Sequence, residues 1–363
     1  MRIDEVVSYT TDDLVAVVVR TDDGVEGVGQ TAPRHAAVTA HVLHDIVVPY
    51  FLGRDPWDLE ALVDRFLREH YKYGGGFLLR ALGGVETALW DVLGKSAGRP
   101  VYQLLGGAVR DAVPVYASSM SRAVTPEAEA DRLGQLIADH GFGCVKVRIG
   151  GRMGRDRDAW PGRTEAIIPF VRRKLGPDVD INADANSGFS AARAIQVGRL
   201  LEEHRYHHFE EPCEFSHLER TAEVAAALDI AVAGGEQDTS LAQFQRMLTI
   251  GAVDIVQPDV GYIGGVSRAR RVALMAEAAG KPCTPHCANQ SMLQVFTLHL
   301  AAAMPSCSQY QEWGIEKNAW AEGVYEPLPQ VDDGKVPLPS GAGWGFELTP
   351  EFRRRATEVR QSV

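Results

Sequence analysis

Short apolar runs alternate with amphipathic segments through the middle of the chain, from Val113 to about Trp313. The runs are rich in β-branched residues and predict strands, whereas the amphipathic segments between them predict helices. Repeated strand and helix units are typical of a parallel sheet covered by helices. The pattern of this region therefore predicts an α/β fold.

The two ends of the chain have different patterns. An apolar run from Leu14 to Val19, the turn Thr21-Asp22-Asp23-Gly24 and a second short run predict a β-hairpin, and longer helical patterns follow it. From about Ala321 the chain is rich in proline and glycine, which indicates an irregular tail. We therefore divide the chain into three regions: residues 1–113, 114–320 and 321–363.

Composition and charge narrow the class of partner. The chain has 363 residues, of which 45% are apolar and 23% charged, as in ordinary globular proteins. Its net charge of −11 argues against nucleic acid and anionic membrane surfaces, both of which attract basic patches. No window approaches about 18 uninterrupted apolar residues, and the first residues lack the apolar core of a signal peptide. A small molecule or a protein partner remains.

The cysteines point to a reducing compartment. There are five of them, an odd number, and none forms a CxxC pair. Free thiols in the cytoplasm explain this better than a disulfide framework. We therefore expect a cytoplasmic protein.

Polar residues recur at the ends of successive predicted strands. Asp184 ends "VDINAD", and Glu210 and Glu236 follow at intervals of 26 residues. Asp259, His286 and Glu312 follow after further steps of 23, 27 and 26 residues. In a parallel β/α barrel the active site lies where the strands end. The register therefore predicts that these six side chains share one site.

Three of these residues form a candidate metal site. Asp184, Glu210 and Glu236 offer hard carboxylate oxygens from neighbouring strands, without thiolates or paired histidines, and such a set favours Mg²⁺ over Zn²⁺. Side chains alternate along a strand, so Glu211 should point away from Glu210 into a supporting hydrogen bond or salt bridge.

The strand "GCVKVRIG" supplies two cations. Lys146 and Arg148 are two residues apart and share one face, while apolar residues share the other. Both should face the barrel interior, where they can balance a substrate carboxylate. Asn186 shares a face with Asp184, and it could either bind substrate or support the metal ligand.

Three loop features are candidates for covering the site. His35 lies in the glycine-flanked segment "GVGQTAPRH", where it either covers the site or is a solvated loop histidine. Residues 71–77, "YKYGGGF", combine aromatic side chains with glycine hinges. The run "GGRMGRDRDAWPGRTE" after the Lys146 strand is longer than a typical connection between strand and helix. It either reaches over the site or is a solvated excursion.

An ordered set of motifs resembles the enolase superfamily and, within it, the mandelate racemase group. The set spans nearly the whole chain and consists of "GGVETALWDVLGKSAGRPVYQLLGG", "KVR", "DAN", "FEEP", "GGE", "QPDVGYIGG", "PHCAN" and "QEWG". The resemblance implies a modified TIM barrel, (β/α)7β, in residues 114–320. It also implies an α+β capping domain formed by residues 1–113 with the returning segment 321–363, and a symmetric homo-oligomer.

The resemblance also implies roles for the site residues. Asp184, Glu210 and Glu236 would bind Mg²⁺, which stabilises the enediolate formed when the proton α to a carboxylate is removed. His286, oriented by Asp259, would be the general base, and Glu312 the electrophilic partner of the substrate carboxylate.

Elementary chemistry gives two of these roles a physical basis. Lys146 and the metal can take the second charge of the dianion. Glu312 must be protonated to donate a hydrogen bond, and we expect neighbouring acids to raise its pKa.

One departure from the family pattern bears on the reaction. Arg148 stands where racemases of this group have a second lysine, and a guanidinium stays protonated at working pH. Two-base racemisation is therefore disfavoured, and Arg148 is instead expected to hold a substrate hydroxyl or distal carboxylate. We expect a Mg²⁺-dependent dehydratase that converts a small acid sugar to a 2-keto-3-deoxy acid. An epimerase, a racemase or a lactone cycloisomerase with the same intermediate is the alternative, followed by a ligand-binding barrel without turnover.

Overall fold

The computed structural model describes residues 1–307 and 309–363. The strands are β1 (Ile3–Thr10), β2 (Val15–Thr21), β3 (Glu26–Gln30), β4 (Ala112–Ser118), β5 (Cys144–Arg148), β6 (Asp180–Asp184), β7 (His208–Glu210), β8 (Ala231–Gly234), β9 (Ile255–Val256), β10 (Gln311–Gly314), β11 (Tyr325–Glu326), β12 (Lys335–Pro337), β13 (Glu347–Leu348) and β14 (Thr357–Ser362).

The helices lie between these strands. They are α1 (Ala36–Val42), α2 (Val48–Phe51), α3 (Leu59–Glu69), α4 (Gly76–Ala97), α5 (Val101–Leu104), α6 (Pro126–His140), α7 (Arg163–Leu175), α8 (Ala191–Glu203), α9 (Leu218–Ala227), α10 (Leu241–Thr249), α11 (Val260–Ile263), α12 (Val266–Ala278), α13 (Met292–Ala303) and α14 (Pro350–Arg355). Shorter helical turns cover Leu43–Val47, Pro56–Asp58 and Tyr71–Tyr73.

A parallel sheet forms the centre of the molecule. Its strands are ordered β10-β4-β5-β6-β7-β8-β9, and all six neighbouring pairs within the described residues are parallel. The segment from Cys283 to His286 lies beside β9 and makes isolated parallel bridges to Val256 and Asp259. With this segment in the eighth position, the predicted (β/α)7β arrangement is confirmed.

The barrel helices begin where short polar side chains satisfy free backbone N–H groups. Thr125 accepts a hydrogen bond from the N–H of Ala128 at the start of α6, and Ser190 accepts one from Arg193 at the start of α8. Each helix buries one apolar face against the sheet, as Leu133 of α6 and Val197 of α8 illustrate. This packing leaves the strand ends, which carry the polar residues, at one rim of the barrel.

An antiparallel sheet in the order β14-β1-β2-β3 forms the cap. The predicted hairpin is confirmed, because β2 pairs with β3 in antiparallel register. The last strand of the chain pairs with the first, from Glu5 opposite Ser362 to Thr10 opposite Thr357. Both ends of the chain therefore build the cap, as the fold class predicted, while the three domain boundaries stay predictions.

The long helix α4 packs directly against β3. A Cβ atom added at Gly29 would lie 2.3 Å from the carbonyl oxygen of Gly84, and one at Gly27 would lie 2.4 Å from that of Ala88. No side chain fits in either place. The two glycines therefore allow the backbones of strand and helix to touch.

Two buried carboxylates on α4 join the cap to the rest of the molecule. Asp91 accepts hydrogen bonds from the N–H groups of Val28 and Trp344, which lie in the cap sheet and the C-terminal segment. Glu86 accepts from the N–H groups of Val266 and Ser267 at the start of α12 in the barrel. Helix α4 is thus hydrogen-bonded to all three regions of the chain.

Among the described residues, no single helix is long and apolar enough to cross a membrane. The bent pair Ala36–Phe51 and Pro56–Glu69 could do so by length and composition alone.

Candidate active site

Three carboxylates meet at the barrel rim. Asp184 and Glu210 end β6 and β7 and are paired in register, and Glu236 lies two residues beyond β8. One oxygen from each lies within 4.8 Å of the other two, and all three residues are buried. This is the close grouping that the 26-residue spacing predicted.

The donor set fits Mg²⁺. All three side chains offer hard oxygen atoms, the ligands that Mg²⁺ prefers. One further observation supports the fit: Oε2 of Glu236 is buried without a hydrogen bond from any described residue, although Nε2 of His286 lies 3.2 Å away. Buried carboxylate oxygens without donors are costly unless a cation is nearby.

Lys146 lies between the carboxylates. Its Nζ is 2.9 Å from both oxygens of Glu210 and 3.5 Å from Oδ2 of Asp184, and it is completely buried. Burial alone would favour a neutral Glu210, but the adjacent ammonium outweighs this effect and holds the pKa of Glu210 well below its usual value. The lysine thus keeps a candidate metal ligand ionised.

The expected protonation of Glu312 is wrong in this structure. Burial favours its neutral form, but Lys146 and His286 outweigh burial and lower its pKa to about 2. Lys146 Nζ lies 2.7 Å from Oε1 of Glu312. Ser118 Oγ and the N–H of Cys287 also donate to this carboxylate. These donors stabilise the ionised carboxylate more than the neighbouring acids destabilise it.

His286 and Asp259 form a hydrogen-bonded pair. Nδ1 of His286 lies 2.7 Å from Oδ2 of Asp259, and Nε2 lies 3.2 Å from Oε2 of Glu236. The carboxylate fixes which ring nitrogen faces the cavity. Burial disfavours a charged ring, but the surrounding carboxylates outweigh it and raise the pKa of His286 to about 10. A cation at the carboxylates would offset part of that effect.

Arg148 lies beside the metal site with its nitrogens already engaged. It forms an ion pair with Asp184 through Nη1, and its Nε donates to the carbonyl oxygen of Ser119 at 2.8 Å. Nη1 also donates to Oδ1 of Asn186 at 3.1 Å. The guanidinium therefore contacts the candidate metal ligand Asp184, in addition to lining the cavity.

Asn186 contacts both a carboxylate and two arginines. Its N–H donates to Oδ1 of Asp184 at 2.7 Å, and its side-chain oxygen accepts from Arg148 and from Arg122. It also lines the cavity. Support of the candidate metal ligand Asp184 is thus visible, whereas no sequence pattern pointed to Arg122.

The expectation for Glu211 is wrong. Its side chain lines the same cavity as Glu236 and His286, instead of pointing away from the site. The reason is its φ of 43°, which breaks the alternation of side chains at the end of β7. Burial, followed by Glu236 and Glu210, holds the pKa of Glu211 well above its usual value.

A cavity of about 480 Å³ opens above these residues. The loop after β5 contributes Arg152 and Met153 to its wall, so the long connection noted in the sequence does reach the site. The cap contributes Pro33 and Arg34, whereas its neighbour His35 is exposed and packs edge-on against Phe77. Tyr71 and Tyr73 are also exposed, at 72% and 69%.

Two segments of the chain match known family models. Residues 5–106 match the N-terminal domain of mandelate racemase and muconate lactonizing enzymes. Residues 128–352 match the family described as enolase C-terminal domain-like. Together the two matches cover the cap and the barrel.

Similar proteins include dehydratases of sugar acids. Arabinonate dehydratase from Saccharolobus solfataricus is 31% identical over 342 residues, which cover 93% of this chain and 88% of that protein. L-Talarate/galactarate dehydratase from Salmonella typhimurium is 30% identical over 347 residues, with 94% and 82% covered.

A solved structure is similar over its whole length. The crystal structure of a proposed racemase from Roseobacter denitrificans is 46% identical, with a TM-score of 0.97 and 100% of both chains covered. With the matches to both family models, this similarity shows that the chain belongs to the enolase superfamily and, within it, to the mandelate racemase subgroup.

Proposed function

We propose that this protein is a Mg²⁺-dependent dehydratase of acid sugars. The observation that carries the proposal is the position of the His286 and Asp259 pair: His286 lines the cavity together with Glu236, and Lys146 lies buried against Glu210. A base thus lies next to a site that can take up a carboxylate. The relatives named as dehydratases act on sugar acids, in agreement with this chemistry.

The site residues have distinct tasks in the proposed reaction. Nε2 of His286 removes the proton α to the substrate carboxylate, and Asp259 stabilises the ring once it carries that proton. The electron pair of the broken C–H bond moves toward the carboxylate and gives an enediolate. Asp184, Glu210 and Glu236 would hold Mg²⁺, which when bound would supply positive charge for this dianion, and Lys146 adds a further cation.

Elimination completes the proposed reaction. The enediolate collapses with loss of the hydroxyl on the β carbon, which leaves as water after it receives a proton. The protonated His286 is a donor within the site for that proton, so the base is restored at the end of the cycle. The resulting enol becomes a 2-keto-3-deoxy acid.

Arg148 argues against a two-base racemase. Racemisation needs a second proton carrier on the opposite face of the substrate, and Arg148 is a poor one because a guanidinium stays protonated. Its nitrogens are also engaged by Asp184, Asn186 and Ser119. Epimerisation stays the second candidate, because the similar Roseobacter protein is described as a proposed racemase and Lys146 places an amine at the site in addition to the imidazole of His286.

The first experiment is a screen of acid sugars with Mg²⁺ in D₂O. Formation of a 2-keto acid, followed together with deuterium uptake at the α carbon by mass spectrometry, would support the dehydratase. Deuterium uptake without keto acid would favour epimerisation or cycloisomerisation. No change in any acid sugar would count against both.

His286→Asn tests the base. The variant cannot accept the α proton, so we expect exchange to be abolished while Mg²⁺ affinity stays within a few-fold of the original. Equal exchange in the variant and the original protein would remove His286 from this role. Calorimetry with Mg²⁺ and circular dichroism of the variant serve as controls for the metal site and the fold.

A further inference from the structure

Three arginines line the cavity, but only one of them is paired. Arg148 is held by acceptors on neighbouring strands, as described above. Within residues 1–307 and 309–363, the guanidinium groups of Arg34 and Arg152 make neither hydrogen bonds nor ion pairs. Two cations therefore face the cavity without a protein partner.

Their backbones are fixed by contacts with distant segments. Arg34 has a φ of 72°, and its N–H donates to the carbonyl oxygen of Asp13 at 2.7 Å. Met153, next to Arg152, has a φ of 50° and donates its N–H to the carbonyl oxygen of Asn186 at 3.0 Å. Non-glycine residues in such conformations are uncommon and concentrate at ligand-binding sites. Both arginine side chains thus start from defined positions on the cavity wall.

A half-buried arginine lies next to this wall. Arg122 donates to the carbonyl oxygen of Gly150 and to Asn186. Burial first, and then the charges of Arg148, Arg152 and other arginines nearby, lower the pKa of Arg122 to about 9. This side of the cavity is therefore electropositive, although the whole chain carries a net charge of −11.

The acidic residues that line the cavity do not neutralise the positive charge of Arg34 and Arg152. Glu211 and Glu236 belong to the carboxylate side, next to His286. Glu316 also lines the cavity, but it is paired with Arg132 at 2.8 Å. An anion supplied by the ligand would balance the unpaired arginines, because guanidinium groups bind carboxylates in a two-pronged geometry.

We propose that Arg34 and Arg152 bind a second carboxylate of the substrate, which is therefore a diacid sugar. The inference rests on the proposed function, in which Mg²⁺ and Lys146 take up the first carboxylate. A monoacid sugar of the same length presents an uncharged hydroxymethyl group to the two arginines. Both guanidinium groups are then solvated by water instead of being paired with an anion. The diacid is bound at both ends.

The test compares matched pairs of six-carbon acids that differ only at the end remote from the reacting carboxylate. Each pair consists of an aldarate, with two carboxylates, and the aldonate of the same stereochemistry. For the configuration that reacts, we expect kcat/KM with Mg²⁺ to favour the aldarate by about 10- to 100-fold, as for a hydrogen bond to a charged group. Arg152→Gln and Arg34→Gln should each reduce this preference several-fold, mainly through KM.

Arg155→Gln is the matched control. Arg155 lies in the same loop and is exposed, but it lines a neighbouring cavity instead of this one. The control removes the same charge and should leave the preference unchanged. An equal effect of Arg155→Gln and Arg152→Gln would reduce the result to general electrostatic attraction and overturn the proposal.

The outcomes separate the two proposals. Turnover of aldonates as good as that of aldarates, with no effect of Arg152→Gln, would overturn the diacid site while the dehydratase stands. If no acid sugar is turned over, the proposed dehydratase activity is contradicted. The proposed diacid site is then tested by ligand binding alone. In that case calorimetry on His286→Asn with Mg²⁺ compares the same acids, and equal affinity for aldarate and aldonate would overturn the site.

Discussion

Glu210 and Glu211 are adjacent at the end of β7, but their pKa values are shifted in opposite directions. The pKa of Glu210 is lowered because Lys146 outweighs its burial, whereas burial, Glu236 and Glu210 raise the pKa of Glu211. The reversed backbone at Glu211 allows both side chains to face the same site. Glu210 is thus suited to bind a cation and Glu211 to hold a proton.

We predict that Glu210→Gln weakens Mg²⁺ binding by at least about tenfold, since even residues behind the ligands of a metal typically contribute that much. Calorimetry with Mg²⁺ measures the change. Glu219→Gln, which removes the same charge from an exposed position, is the control and should bind Mg²⁺ as the original does. An unchanged affinity of Glu210→Gln would remove this residue from the ligand set.

Residue spacing and alternation predicted the centre of the site but not its wall. Alternation along β5 was enough to predict that Lys146 and Arg148 both point inward, because side chains two residues apart in a regular strand lie on the same face. It failed at Glu211, where the backbone leaves the strand conformation. Arg34 and Arg152 were not singled out, because their positions depend on loop conformations that distant backbone groups hold in place.

At the scale of elements, the contact between β3 and α4 depends on glycine. In Gly29→Ala the added methyl group would meet backbone atoms of α4, which cannot move as a side chain can. We expect a loss of at least about 1–3 kcal/mol in the free energy of unfolding. Urea denaturation measures it.

Gly134→Ala is the matched control for that prediction. Its added methyl group would meet only the side chain of Leu175, at 3.6 Å, inside helix α6. Because alanine favours helix formation, we expect a gain of about 0.5–1 kcal/mol. A loss equal to that of Gly29→Ala would contradict the proposed role of the close contact.

The histidine that joins α13 to α5 predicts a pH dependence. Nδ1 of His299 accepts from the N–H of Tyr102, and Nε2 lies 3.1 Å from the carbonyl oxygen of Trp344. Burial lowers the pKa of His299 to about 3, so the ring stays neutral in the folded protein. The unfolded chain takes up the proton near pH 6.5. The contribution of His299 to the free energy of unfolding is thus fully present above pH 6.5 and falls as the pH drops below it.

The expected loss from this group is about 2 kcal/mol at pH 5. Urea denaturation at pH 7 and pH 5 measures the total change for the original protein and for His299→Gln. Glutamine can accept from Tyr102 and donate to Trp344 but does not titrate, so the variant should lose about 2 kcal/mol less. Equal losses in the two proteins would show that His299 is not responsible.

The order of elements was more predictable than their regularity. The hairpin and the repeated strand and helix units followed from local apolar patterns, which the structure retains. The strand expected before His286 is reduced to isolated bridges at Cys283 and His286. Its neighbour β9 has only two residues, so few ladder hydrogen bonds are available to it.

At the scale of the molecule, we expect Mg²⁺ binding to be coupled to folding. Lys146 and Arg148 already balance charge among the carboxylates, so we expect the metal-free protein to fold. Mg²⁺ should then add about 2.7 kcal/mol at 100 times its Kd, because the unfolded chain has no assembled site. Thermal unfolding in EDTA and in Mg²⁺ measures the difference. Loss of native structure in EDTA would contradict the role of the two internal cations.

Two larger features stay predictions. The homo-oligomer can be checked by sedimentation equilibrium, and the boundaries near residues 113 and 320 by limited proteolysis. The carboxylates of α4 lead us to expect that a cut at either boundary leaves the fragments associated, because Asp91 and Glu86 bind all three regions.

The pairing of the first strand with the last has a consequence for synthesis of the protein. β1 is synthesised before the barrel strands, but its partner β14, residues 357–362, is synthesised after them, and the N–H of Val363 donates to Asp4. One edge of the cap sheet therefore stays open while the barrel is made. Barrel strands can pair as they emerge, whereas the sheet that leads into the Arg34 loop is completed only once β14 has emerged. A nascent chain stalled before β14 would carry the candidate site residues without a finished cap.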